Sequence, residues 1–324
     1  MTHPIDLTRY QVERERFCYP DWLAIGDEIK SRFSKSQWPA EWNHITRKWV
    51  NQNCEVLGGE YCVHETDNFL ILSNAEERVI RDACISYEGF LEDILKELAG
   101  AAVDDGLGKH VVFLLSDLDD YYEYVSHFYP EGEHPMSGGL CIGTDGYIHF
   151  AIPVTDYSSY RTVLVHELTH SCLAHLPLPV WLNEAVAMRM EQAICGTQNF
   201  FIDHDIYQQH CDHWNEQTIQ EFWSGKSWEI QGDSFELSYS LAQILFRKLE
   251  VDANAPRQEM MRFITAADSS DGGDLACRTI FNLSVTDLVS DFLGEGNWAP
   301  QLEENSKEQD LYSTNHSGLP KIIL

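Results

Sequence analysis

The segment 162–170 reads Thr-Val-Leu-Val-His-Glu-Leu-Thr-His, so two histidines stand four residues apart inside an apolar run. On a helix, residues i and i+4 share a face, and both rings then reach one point. After Pro177 and Pro179, the run 180–187 (Val-Trp-Leu-Asn-Glu-Ala-Val-Ala) is apolar except for Asn183 and Glu184. A carboxylate inside such a run needs a cation or donors to offset its desolvation. Glu184 facing the histidine pair completes a His2Glu set, the kind zinc takes when it keeps a position for chemistry. Glu167, next to His166, is placed to take a proton from water at that cation. The pattern predicts two consecutive helices, metal ligands His166, His170 and Glu184, and one Zn2+ per chain. His175 lies five residues past His170 and points off that face.

Composition bounds what such a site serves. Of 324 residues, 44% are hydrophobic and 12% aromatic, enough for a packed core, which excludes a wholly disordered chain. Lys plus Arg total 22 against 52 Asp plus Glu, a formal charge of -30. That charge opposes nucleic-acid backbones and anionic membranes, so neither is an expected partner. No apolar run is long enough for a membrane span, and residues 1–17 hold no apolar leader segment. The nine cysteines are odd in number and form no Cys-x-x-Cys pair. They read as reduced thiols of a cytoplasmic protein rather than a disulfide framework.

Hydrophobic periodicity divides the chain into four stretches. Residues 1–55 form a helical N-terminal extension, with helices over 21–33 and 40–51 and with Trp22, Trp38, Trp42 and Trp49 as packing residues. Residues 56–158 form an α/β subdomain. It has strands over 61–64, 69–72 and 111–115, a helix over 75–98 opened by a Ser73/Glu76 capping box, and a helix over 118–128. An edge hairpin of strands 138–143 and 147–152 turns at Thr144-Asp145-Gly146. Residues 159–294 form a helical subdomain carrying the metal site, with helices over 160–176, 180–195, 235–249 and 257–265 and a short last helix opened by Ser284 and Asp287. Residues 295–324 are a polar tail, expected to be loosely ordered. The fold class is α+β: a small mixed sheet with an active-site helix, followed by a helical C-terminal subdomain.

His166-Glu167-Leu168-Thr169-His170, followed by Pro-Val-Trp-Leu-Asn-Glu-Ala-Val-Ala over 179–187, resembles the gluzincin zinc metallopeptidases, most closely their peptidase-MA-like branch. The likeness spans roughly residues 60–294 and takes in the segments 68–77, 111–115 and 235–245 as supporting matches. It implies a zincin-like fold, zinc on His166, His170 and Glu184, and Glu167 as general base. It also implies a downstream Tyr or His that stabilises the oxyanion. Tyr239 aligns best with that role, and His204, His210 and His213 are its rivals. Those three histidines, with Cys211, are also candidates for a second metal site, against the plainer reading of a polar loop. By the same likeness, strand 147–152 is a candidate for pairing with extended substrate, against a purely structural strand. Two positions depart from the family. Ala185 stands where the family has Gly. Met188 stands where it has an acidic residue, which in zincins orients a ligand histidine. Asn183 and Glu191 are the nearby polar residues that would compensate.

The reading is a zinc-dependent metallopeptidase that hydrolyses peptide bonds with metal-activated water and a Glu general base, its partner a peptide or protein substrate. The alternative is a catalytically inactive, zinc-stabilised binding or regulatory protein on the same fold, with Met188 marking the lost tuning. A third reading is a protease for one intracellular protein, its acidic surface selecting basic segments.

Overall fold

The computed structural model describes residues 5–12, 16–104, 107–129, 138–144, 146–154, 159–197, 201–230, 232–252, 255–301 and 321–323. Gln11–Val12 (β1) pairs antiparallel with Tyr19–Pro20 (β2), and the helices Trp22–Arg32 (α1) and Trp38–Leu57 (α2) follow. Asp21 caps α1 by accepting from the Ala24 N–H at 2.9 Å. Pro39 sits in the first turn of α2, where its missing N–H costs nothing, and Gly58 ends that helix at φ 63°.

Next come Cys62–Glu65 (β3), Phe69–Ser73 (β4), the helix Glu77–Glu97 (α3), His110–Leu115 (β5) and the helix Leu118–Ser126 (α4). The hairpin Leu140–Thr144 (β6) and Tyr147–Pro153 (β7) leads to the helix Ser159–Leu173 (α5). The remaining helices are Val180–Met190 (α6), His204–His213 (α7), Thr218–Trp223 (α8), Asp233–Arg247 (α9), Arg257–Ala266 (α10), Asp274–Phe281 (α11) and Val285–Leu293 (α12). Lys321–Ile323 is a last strand (β8). The molecule is thus of mixed α and β type, as the sequence pattern requires.

The main sheet has the order β3-β4-β5-β7-β6-β8. Strands β4, β5 and β7 run parallel, while β3, β6 and β8 pair antiparallel with their neighbours. Every residue of β4 and β5 is buried, which is why both read as unbroken apolar runs rather than alternating ones. Contacts divide the chain into two compact units, residues 1–93, 104–171 and 312–323 in one and residues 94–103, 172–311 and 324 in the other. The division falls near the C-terminal end of α5, whereas the sequence pattern opens the helical subdomain at Ser159.

In the first unit, the N-terminal tryptophans share one core with the sheet. Trp22, Trp42 and Trp49 are buried in a cluster with Leu70, Leu72, Val111 and Phe113. Trp22 stacks on Tyr147 with centroids 4.0 Å apart, and Trp49 lies 5.0 Å from Phe113. Each such fully buried side chain contributes about 1.5–3 kcal/mol, so the described N-terminal segment from Ile5 to Val50 supplies part of this core. In the second unit, Trp181, Trp223, Trp228 and Phe263 are buried. The Trp181 indole donates to Gly272 O at 2.9 Å and that of Trp223 to Trp298 O at 2.8 Å.

Local chemistry moves several predicted boundaries. Ser73 ends β4 and accepts from the Ala75 N–H at 3.1 Å, a two-residue turn rather than a capping box, so α3 begins only at Glu77. The box at Ser284 and Asp287 does form, with bonds of 2.9 and 2.7 Å. Residues 204–213, a polar loop in the sequence reading, are helical, with Asp203 capping at Ile206 N. The predicted loose tail is pinned over its first residues. Trp298 is buried, Gln220 donates to Ala299 O at 3.0 Å, and Gln301 N donates to Gln220 Oε1 at 2.8 Å. Asp145 of the predicted turn and residues 302–320 and 324 of the tail lie outside the described residues. Among the described residues, no helix is long and apolar enough to cross a membrane.

Candidate metal centre

Helix α5 is anchored by Leu164, Val165 and Leu168, all fully buried. Thr169 returns its hydroxyl to Val165 O at 2.7 Å, so this buried polar group is satisfied within the helix. The i,i+4 spacing then stacks the two histidines. The rings of His166 and His170 lie 4.7 Å apart, edge to face at 81°. His170 is 1% exposed, while His166 is partly open to solvent.

Helix α6 starts after Pro179, whose extended backbone (ψ 143°) sets the turn and whose carbonyl accepts from Leu182 and Asn183. The helix is buried nearly all round, which explains its uniformly apolar sequence. Glu184, 0% exposed, sits among these residues. One ligand atom from each of His166, His170 and Glu184 lies within 4.8 Å of the others. Two imidazoles and a carboxylate in this enclosure are the donors zinc takes, three in number as in sites that do chemistry. The donor chemistry therefore fits that ion. Glu167, next in sequence to His166, is buried as well. His175 is exposed, in line with its place off the ligand face.

Tyr129 carries a signal with no counterpart in the sequence pattern. It follows α4 and is half buried. Burial pushes its phenol well above the ordinary range, and the negative charge of Glu167 pushes it further. The two side chains therefore share one electrostatic neighbourhood, although 38 positions of sequence separate their numbers and no spacing rule links them. Tyr239, on α9, is half buried, and its described ring contacts are Phe235 at 5.1 Å and Trp228 at 6.1 Å.

The rival histidines resolve differently. His210 is fully buried, its Nδ1 accepting from the Trp214 indole at 2.9 Å and its Nε2 bonded to Ser240 Oγ at 2.7 Å. Because the indole only donates, Nδ1 is bare and Nε2 carries the proton. Burial, with a smaller effect from His213, pushes the His210 pKa down to about 4. His213 bonds Ser234 Oγ at 3.2 Å, and Cys211 is exposed. Among the described residues, these side chains form no ligand cluster, and only His166, His170 and Glu184 do. The second metal site is therefore set aside, because His210 spends both nitrogens on protein partners.

Two further positions bear on the family likeness. Met188 Sδ accepts from Gln243 Nε2 at 2.7 Å, so an amide-to-sulfur contact stands where the family has a carboxylate. Strand β7, the candidate for substrate pairing, lies between β5 and β6 and is paired on both sides. Its backbone groups are spent on the sheet, so residues 147–152 are not available to a peptide. His149, 1% exposed, is a core residue whose Nε2 shares a hydrogen bond of 2.6 Å with the Tyr124 hydroxyl. No protein-family model matches the chain, and no curated protein matches it.

Proposed function

We propose that the protein is a zinc-dependent metallopeptidase of zincin-like fold. The observation that carries the reading is the gathering of His166, His170 and Glu184 within 4.8 Å, with a buried carboxylate, Glu167, next in sequence. His166, His170 and Glu184 would hold the ion. Bound zinc supplies Lewis acidity, polarising a substrate carbonyl and lowering the pKa of water.

The chain's own groups account for the rest. Glu184 offsets part of the cation's charge inside an apolar helix, where an unneutralised ion is costly. The Glu167 carboxylate takes the proton from the attacking water and passes it to the leaving amine nitrogen. Its burial on α5 limits competing solvent. Tyr239 is the proposed donor to the oxygen that gains charge as the tetrahedral intermediate forms. The test is Glu167→Gln, which keeps the size and removes the base. Peptide hydrolysis should fall with zinc content unchanged. Full hydrolysis by the zinc-loaded variant contradicts the assignment.

The Met188–Gln243 contact favours a second reading, a zinc-stabilised binding protein without turnover. Wild-type protein with stoichiometric zinc and no hydrolysis of any unstructured peptide would select it.

A further inference from the structure

Strand β6 has a neighbour on each side. One is β7, through the hairpin. The other is β8, through the pairs Cys141↔Ile323, Ile142↔Ile322 and Gly143↔Lys321. Strand β8 is three residues long and arrives from far along the chain. Without it, β6 would be the edge of the sheet, a row of outward N–H and C=O groups open to any extended polypeptide. So short a strand is marginal, since few ladder bonds stand against the freedom its segment gives up. Of the five residues in β6, Leu140–Thr144, β8 pairs with three. A longer extended chain has more of the edge to gain.

The track also has a direction. Along its own chain sense, β8 runs from the level of Gly143 to that of Cys141, and onward lie Gly139 and Gly138. There the backbone meets α5 closely. A Cβ on Gly139 would stand 2.5 Å from Val163 Cγ1, and one on Gly138 would stand 3.1 Å from Val163 Cγ2. Val163 precedes His166 by about one helical turn. An extended chain laid along β8's track is thereby led toward the helix that bears His166, Glu167 and His170.

We propose that Lys321–Ile323 is a resident intramolecular occupant of the outer edge of β6, a built-in competitor that an extended polypeptide substrate must displace. The word substrate rests on the peptidase reading, whereas the strand exchange does not. Main-chain pairing reads extended conformation rather than side-chain identity, so the edge selects unfolded or extended segments. A tethered strand competes at an effective concentration in the millimolar range. It holds off brief encounters and yields to chains that pair along all of Leu140–Thr144.

The test uses a fluorescein-labelled peptide of residues 317–324, Ser-Gly-Leu-Pro-Lys-Ile-Ile-Leu, and fluorescence anisotropy. Three forms are compared: the full chain, the chain ending at Pro320, and the full chain with Ile322→Pro. Both altered forms should bind the peptide at least tenfold more tightly than the full chain. Hydrogen exchange at the amides of 140–144 should rise in both and fall again when peptide is added. Equal affinity in all three forms, no binding by any, or binding that leaves those amides unchanged overturns the proposal. If the binding contrast holds but no form cleaves any peptide, the strand exchange stands and only the peptidase reading falls.

Discussion

His170 on α5 and His210 on α7 are equally hidden, 1% and 0% exposed, yet their surroundings divide them. The protein closes around His210 with an indole N–H on one nitrogen and a serine hydroxyl on the other. That arrangement fixes a neutral tautomer and ties α7 to α9. His170 instead gathers with His166 and Glu184, ligand atoms all within 4.8 Å. Burial of a histidine is therefore no sign of function by itself. The sign is convergence of several ligand-type atoms on one point.

The sharpest way to break this comparison is to alter one residue on each side. Glu167→Gln should lower kcat by about 10²–10⁴-fold, the range for a lost general base, with zinc still bound. Steady-state hydrolysis of a quenched fluorescent peptide, beside metal content, reads both. Next in size is Tyr239→Phe. If its hydroxyl serves the oxyanion, kcat falls by about 10²–10³-fold with little change in metal. An unchanged kcat removes Tyr239 from the mechanism and turns attention to Tyr129→Phe.

On the other side, His210→Phe leaves the buried Trp214 indole without its acceptor. Denaturant unfolding should show a loss of about 1–3 kcal/mol, while zinc content stays at the wild-type value. Loss of zinc in this variant would break the comparison outright. The same residue predicts a pH dependence. The folded pKa of His210 is pushed down to about 4, below the ordinary value of about 6.5. Above pH 6.5 both states are neutral and the group contributes nothing to the slope. As pH falls from 6.5 to 4, the unfolded chain binds the proton and the folded chain does not, so stability drops, by up to about 3 kcal/mol. His149, pushed down by burial to about 3, adds a loss of the same sign that extends to lower pH. Chemical unfolding across pH 4–7 should show a shallower acid slope in His210→Phe than in wild type; an identical slope contradicts the assignment. The smallest expected effect is His204→Ala. This exposed residue should change neither zinc content nor stability beyond about 0.5 kcal/mol.

Much of the centre was legible because polar residues inside apolar helices are conspicuous. His166, His170 and Glu184 stand out against Val165, Leu168, Trp181 and Leu182, and helical spacing does the rest. Helix α7 was not legible because its apolar stripe is thin and the residue it buries most deeply is a histidine. Tyr129 and Glu167 become electrostatic neighbours only through tertiary structure, which no local spacing records. The hairpin of strands 138–143 and 147–152 was visible as a hairpin, but whether β7 is an inner or an edge strand depends on strand order, a long-range property. Strand β8 gave no period to read, since a three-residue strand has too few alternations.

The central claim is that His166, His170 and Glu184 hold one zinc ion. The direct measurement is zinc per chain by elemental mass spectrometry, after removal of loosely bound metal, for the wild type and Glu184→Ala. The account predicts close to one zinc per wild-type chain and clear loss in the variant. A wild-type chain that retains no zinc after zinc is supplied, or a Glu184→Ala chain that retains it fully, contradicts the account.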